Sequence, residues 1–250
     1  MLKKRIIPTL LYNNNTLVKG KNFKSDRSVG SAIESIKIYN HREVDELVFF
    51  DLVASRSQSQ PDYGLILELS KECFVPFAVG GGINKLETIE KLLKNGADKV
   101  VINSEGVINP KFLQSSSKEF GSQCIVLSLD YSKKKNYGLI VNSGTKKTNK
   151  NIFDFLNSIK DINYGELIVC SVDKDGCLNG YDFETLKKLR KLINVPLICS
   201  GGCSGYKDML TAFNECKVDA VAAGSIFHFS HMTPRQAKIY LKSKGINVRI

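Results

Sequence analysis

Metal-ligand chemistry is sparse in this 250-residue chain, which holds only three histidines. His228 and His231 lie three apart with no other ligating residue type clustered beside them, so a structural role is expected and no metal site. The seven cysteines (Cys73, Cys124, Cys170, Cys177, Cys199, Cys203 and Cys216) are odd in number and form no Cys-x-x-Cys pair. Several sit inside apolar runs, which argues for reduced, mostly buried small residues and against a disulfide framework or zinc ribbon. No apolar run is long enough to cross a bilayer, and Met1-Leu-Lys-Lys-Arg-Ile-Ile lacks the core and cleavage site of a signal peptide. A cytoplasmic location without membrane contact is the expectation. No linker or low-complexity tract divides the chain, so a single domain over residues 1–250 is expected. The dinucleotide fingerprint with its downstream acidic residue is absent as well, and no cofactor is expected.

What the chain does have is positive charge, 36 Lys and Arg against 25 Asp and Glu for a net +11. The lysines are spread over helical and loop segments, without interleaved aromatics or a nucleic-acid module, so nucleic acid is not the expected partner. Most of the charge reads as a solvated surface, part of which attracts a phosphorylated ligand or an acidic partner.

Two stretches organise the rest. Val75-Pro-Phe-Ala-Val-Gly-Gly-Gly-Ile83 and Val195-Pro-Leu-Ile-Cys-Ser-Gly-Gly-Cys203 are short apolar runs entered through proline and left through paired glycines, 120 residues apart. Each reads as a buried parallel strand followed by a tight turn whose bare N–H groups make an anion nest. Both are followed one helix later by a similar close, Ala97-Asp-Lys-Val-Val-Ile-Asn-Ser104 and Val218-Asp-Ala-Val-Ala-Ala-Gly-Ser225. Asp45-Glu-Leu-Val-Phe-Phe-Asp51 answers Gly165-Glu-Leu-Ile-Val-Cys-Ser171 in the same way, and Ile7-Pro-Thr-Leu-Leu-Tyr12 answers Val126-Leu-Ser-Leu-Asp-Tyr131.

Strand-like runs at 5–11, 46–51, 77–79, 99–102, 124–130, 166–171, 197–200 and 220–224 alternate with helix-period stretches at 31–39, 63–72, 85–95, 110–119, 152–159, 182–192, 206–215 and 234–244. Eight strands alternating with eight helices predict an α/β fold, a single (β/α)8 barrel of two similar halves, with an open doubly wound sheet as the rival. In such a barrel the strand C-termini hold the chemistry. Two nests on opposite sides imply an elongated ligand with a phosphate at each end. At the strand N-termini Arg5, Glu46, Lys99 and Glu166 alternate in sign. Together they suggest a salt-bridged plug closing the barrel floor, either as a stabilising device or as a gate for a small molecule.

The opening Leu2-Lys-Lys-Arg-Ile-Ile-Pro8, with Val18-Lys-Gly20, Asp45-Glu-Leu-Val-Phe-Phe-Asp51, Val79-Gly-Gly-Gly-Ile83, Gly96-Ala-Asp-Lys-Val100, Phe120-Gly-Ser-Gln-Cys124, Asp173-Lys-Asp-Gly176, Ser200-Gly-Gly202 and Ser225-Ile-Phe-His-Phe229, resembles the cyclase subunit of imidazole glycerol phosphate synthase, the HisF family, over nearly the whole chain. That resemblance implies a barrel docked on a HisH-like glutaminase, with ammonia passing through it to a bis-phosphorylated ligand. It implies that Gly82, Asn103 and Ser104 hold one phosphate and Gly202, Gly224 and Ser225 the other, with Ser171, Asp175 and Gly176 in the same binding set and Lys19 on a mobile loop over the ligand. Arg5, Glu46, Lys99 and Glu166 look like the family's ammonia gate, and Asp98 would lie on the face that meets the glutaminase.

The family's cyclase uses two aspartates at the ends of the first and fifth strands, as general acid and base. Asp130 matches the second, and Leu11 stands at the first. The internal repeat leads to the same place without the family, since the equivalence of Tyr12 and Tyr131 sets Leu11 opposite Asp130. Leucine transfers no proton, and losing one of two acid/base groups costs about a hundred- to ten-thousand-fold in rate. Asp51, on the neighbouring strand end, is the only nearby candidate for a substitute role, with a hydrogen-bonded structural carboxylate as the equal alternative. Thr9-Leu-Leu-Tyr12 and Lys71-Glu-Cys-Phe-Val-Pro76 are similar to a divergent branch linked to surface polysaccharides, in which ammonia is passed on, through a sugar amidotransferase, to turn an acetamido sugar into an acetamidino sugar. Three functions follow as expectations: an ammonia-conducting barrel serving that modification, a histidine-pathway cyclase, or a non-catalytic phosphate-binding scaffold.

Overall fold

The computed structural model describes residues 3–57 and 59–250. Its strands are β1 (Arg5–Asn13), β2 (Thr16–Lys21), β3 (Lys24–Gly30), β4 (Leu47–Asp51), β5 (Phe77–Gly80), β6 (Lys99–Ile102), β7 (Ile125–Ser132), β8 (Gly138–Val141), β9 (Lys146–Asn151), β10 (Glu166–Ser171), β11 (Leu197–Ser200) and β12 (Ala220–Ala223). The α-helices are α1 (Ala32–His41), α2 (Leu52–Ser57), α3 (Tyr63–Glu72), α4 (Leu86–Lys94), α5 (Ser104–Ile108), α6 (Pro110–Phe120), α7 (Ile152–Ser158), α8 (Phe183–Arg190), α9 (Tyr206–Glu215), α10 (Ser225–Phe229) and α11 (Pro234–Ser243).

Eight of the strands pair in parallel in the order β1, β4, β5, β6, β7, β10, β11, β12, and β12 returns to β1. The pairing of β7 with β10, from Val126 beside Glu166 to Tyr131 beside Ser171, removes the edges an open sheet would leave. The fold is the (β/α)8 barrel, and the doubly wound rival is excluded. The predicted strands 99–102, 166–171 and 197–200 coincide with β6, β10 and β11, and the other five differ by one or two residues at an end.

Side-chain alternation along each strand sorts residues between two cores. Ile6 and Leu10 of β1 face the helices and join the large outer core with Leu47, Phe49, Val79 and Leu127. Ile7, between them, points into the barrel, where it meets Val48, Ala78, Val101, Val126, Ile168, Ile198, Ala220 and Ala222. This small inner layer separates a charged floor below from a cavity above. The helices complete the outer core with one apolar stripe each, as where α4 buries Thr88, Ile89 and Leu92. Side-chain caps start several of them: Asp62 accepts from the Leu65 N–H at 3.0 Å, Asp182 from Thr185 at 3.3 Å, and Thr233 from Gln236 at 3.2 Å. Each is worth about 1 kcal/mol.

Two hairpins depart from the plain alternation. β1 continues antiparallel into β2 and β3, and β7 into β8 and β9. Their turns use left-handed residues in adjacent pairs, Asn14 and Asn15, Asn22 and Phe23, Asn136 and Tyr137, and Asn142 and Ser143. The first two are two-residue hairpin loops, which require this geometry, and the other two belong to longer connections, 133–137 and 142–145; asparagine tolerates the left-handed region best among residues with a side chain. β1 and β7 are four steps apart around an eight-strand ring, so the hairpins rise on opposite sides of the same rim.

Candidate functional site

The strand C-termini enclose one principal cavity of about 250 Å³, lined among others by Leu11, Lys19, Gly82, Asn103, Ser104, Asp130, Asp175, Gly176, Gly202, Gly224 and Ser225. Nearly every residue expected to bind ligand therefore reaches one space.

The two glycine nests are produced by backbone constraint. Gly81 and Gly82 have φ of 123° and 63°, and Gly201 and Gly202 have 85° and 104°. A Cβ on Gly82 would lie 2.3 Å from the Ser59 carbonyl oxygen, and one on Gly202 the same distance from that of Gly180. Only glycine avoids both the strain and the clash. Beside each nest a short helix, α5 or α10, opens at the cavity with Ser104 or Ser225 as its first residue. Its first-turn N–H groups have no intrahelical acceptor and face the side on which an anion would sit. Gly82 and Ser104 follow β5 and β6, whereas Gly202 and Ser225 follow β11 and β12, diametrically across the ring.

Between the nests the cavity has two unlike walls. On one side Leu11 of β1 stands in register with Phe50 of β4, which in turn pairs with Gly80 of β5. The Phe50 ring fills the space a side chain at 80 would occupy, since a Cβ there would lie 2.9 Å from it. Opposite, Asp130 accepts from the Asn103 amide at 3.1 Å, and that amide also donates to the Ser128 carbonyl at 3.0 Å. Desolvation, reinforced by the negative charge of Asp175, pushes the Asp130 carboxyl up to about 7, against a smaller opposing pull from the Asn103 hydrogen bond. Near neutral pH it can therefore either hold or release a proton.

Lys19 does not lie on an irregular loop. It belongs to β2, is buried, and pairs with Asp175 at 2.7 Å. Gly176 packs so closely on the Gly20 backbone that a Cβ would fall 2.0 Å from its carbonyl oxygen. Asn22 ties the same hairpin down by donating to the Val172 and Asp173 carbonyls at 2.9 and 2.8 Å.

Two expectations need correction. Ser171 ends β10 with its side chain outside the lumen, because Cys170 takes the inward position beside Asp130 and alternation turns the next residue away. Asp51 cannot readily replace the missing acid. Its carboxylate is buried and accepts from the Ala54 N–H at 2.9 Å, which starts α2. His228 serves structurally, half-buried with Nδ1 3.4 Å from the Tyr39 hydroxyl, and desolvation lowers its pKa to about 4. Among the described residues no group of three or more His, Cys, Asp and Glu side chains is arranged to hold a metal.

The floor forms as a four-residue ring. Arg5 pairs with Glu46 at 2.5 Å and Glu166 at 3.0 Å, and Lys99 pairs with the same two at 3.0 and 3.1 Å. The glutamates are more deeply buried than the cations, so removing either cation would leave a desolvated carboxylate with half its compensation. Asp98, at the same end, accepts from the Phe77 N–H at 2.8 Å.

Phe50, Phe23 and the Asn142–Ser143 turn also line the cavity and were not foreseen. The signal available was weak, a single asparagine, Asn22 or Asn142, directly before Phe23 and Ser143.

A model of the family described as "Histidine biosynthesis protein" matches residues 5–233. The chain belongs to that family, in its HisF branch. The HisF chain of Dictyoglomus thermophilum is 42% identical over 252 residues, that of Prosthecochloris aestuarii 38% over 251 and that of Natranaerobius thermophilus 37% over 251. Each alignment covers the whole of both chains, and each relative is named imidazole glycerol phosphate synthase subunit HisF. None of these names refers to polysaccharide or acetamidino sugars, so membership in a polysaccharide-linked branch gains no support from them. No helix among the described residues is long and apolar enough to cross a membrane.

Proposed function

We propose that this HisF-type chain is the ammonia-accepting barrel subunit of a glutamine-dependent imidazole glycerol phosphate synthase. A HisH-type glutaminase would sit against the charged floor, and a bis-phosphorylated ligand would span the two glycine nests above. The observation that carries this reading is the coincidence, along one barrel axis, of the Arg5–Glu46–Lys99–Glu166 ring and a cavity holding paired nests with Asp130 between them. Ammonia admitted through the ring would emerge among small apolar side chains, where ammonium is disfavoured and the neutral, nucleophilic form is kept. Asp130 would handle the protons of the addition and elimination steps, as base when ionised and as acid when protonated. With Leu11 in place of a second carboxylate one residue would do both in turn, which implies slow cyclisation.

A second reading rests on Leu11 alone. A barrel that accepts ammonia yet cyclises poorly suits delivery of nitrogen to another acceptor, such as an acetamido sugar held by an amidotransferase. One assay separates the two. The purified chain is given excess ammonium and the bis-phosphorylated ribulosyl intermediate, and separately its cognate glutaminase with glutamine. Imidazole glycerol phosphate formed from ammonium, at a slow but measurable rate, supports the first reading. Stimulated glutamine hydrolysis without that product supports the second. If the chain neither binds nor stimulates a glutaminase, both readings fail. In an active pair, Lys99→Ala is expected to leave glutamine hydrolysis running while product per glutamine falls several-fold; unchanged coupling would remove the ring from the ammonia path.

A further inference from the structure

The net charge of +11 is not evenly distributed. Residues 131–151, which include β8 and β9, carry Lys133, Lys134, Lys135, Lys146, Lys147 and Lys150 and no carboxylate. Residues 12–30, which include β2 and β3, carry Lys19, Lys21, Lys24 and Arg27 against Asp26 alone. The two hairpins thus hold nine of the eleven net charges. Little of this is neutralised locally. Lys19 pairs with Asp175 and Lys133 with Glu184, but Lys21, Lys24, Lys135, Lys146 and Lys147 are exposed and have no carboxylate partner among the described residues.

The tertiary structure brings these segments together. Both hairpins rise from the cavity rim, and their tips meet: a Cβ on Gly144 would lie 2.8 Å from the Phe23 ring. Phe23 and Ser143 line the cavity beside the contact. Lys21 and Lys24, on either side of the Asn22–Phe23 turn, and Lys146 and Lys147, just after the Asn142–Ser143 turn, therefore stand beside one mouth, above a low-dielectric pocket with a glycine nest on either side. Charge of one sign around such a pocket focuses the field outward and raises association rates for oppositely charged ligands by about 10- to 1,000-fold.

We propose that the paired hairpins form a cationic collar that captures a doubly phosphorylated small molecule from solution and steers it into the cavity. This rests on the reading of the cavity as a bis-phosphate site, but it concerns ligand capture, so neither the partner nor turnover enters its test. The probe is fructose 1,6-bisphosphate, titrated calorimetrically into the isolated chain at about 20 mM and about 300 mM salt, which shortens the screening length from roughly 20 Å to 6 Å. Lys21→Ala, Lys24→Ala, Lys146→Ala and Lys147→Ala are combined in one variant. A control with the same change in net charge combines Lys71→Ala, Lys118→Ala, Lys160→Ala and Lys191→Ala, all exposed and at the floor end of the helices. The collar variant is expected to bind about 5- to 20-fold more weakly at low salt and within twofold of the parent at high salt, while the control stays within twofold at both. An equal loss in the control, a loss that persists at high salt, or no saturable binding by the parent chain overturns the proposal.

Discussion

The first half of the barrel and the second share a backbone plan and differ at the point where a proton would be handled. β1 with its β2–β3 hairpin faces β7 with its β8–β9 hairpin, and the glycine pair at 81 and 82 faces that at 201 and 202. Both glycine pairs adopt left-handed geometry over a neighbouring carbonyl, a solution open to no other residue. The layer between the nests is under no such constraint. Leu11 and Asp130 occupy equivalent, opposed positions on one rim, and either side chain fits there without disturbing the strand. Asp51 and Ser171, likewise equivalent, have also diverged, one capping a helix and the other packing outside the lumen. Backbone requirements preserve the symmetry of the nests, whereas side-chain chemistry is free to break it.

The most forceful way to break the comparison is to restore it. Leu11→Asp is expected to raise imidazole glycerol phosphate formation with ammonium by about 100- to 10,000-fold, measured in single turnover. If the rate stays at the parent level, the cavity lacks more than a proton donor. The shared backbone plan is tested next by Gly82→Ala and Gly202→Ala. Each should cost about 2–3 kcal/mol, because a left-handed alanine is strained and its methyl meets a carbonyl oxygen. For a chain of this size that lowers Tm by roughly 4–12 °C. Unequal losses would show that one nest is held less rigidly than its counterpart.

The smallest expected effect sharpens the difference at Asp130. Its carboxyl is raised above the ordinary value, so ionisation is disfavoured in the folded state. The resulting penalty is absent below the unfolded value near 3.8, accumulates as pH rises, and is complete above about 7. The shift corresponds to about 4 kcal/mol, which water in the cavity that Asp130 borders screens to roughly half, so Asp130→Asn should gain about 2 kcal/mol over the parent between pH 4 and 7 and no more beyond that. Chemical denaturation across this range that finds a pH-independent difference would mean that solvent already relieves the carboxylate.

Much of this was legible in the chain. Proline-entered apolar runs ending in glycine pairs located β5 and β11, and repetition at 120 residues located their partners. Leu11 opposite Asp130 followed from the same spacing. The hairpins were not read as such, because Asn14–Asn15, Asn22 and Asn142 look like ordinary loop residues until their positive φ values are known. Placing Ser171 with the ligand residues was a failure of alternation, since the lumen face of β10 is set by Cys170.

The amino-acid order by itself determined the eight barrel strands and the eight longer helices between them, the halved repeat and the loss of one carboxylate. These are local periodicities and residue identities, which need no knowledge of contacts. Tertiary structure alone decided that each cation of the expected floor plug reaches both glutamates, that Lys19 reaches Asp175 across 156 residues, and that two lysine-bearing hairpins touch above the same opening. Those facts depend on barrel closure, because which side chains become neighbours across a ring is set by strand order and stagger, and neither is written in any single segment.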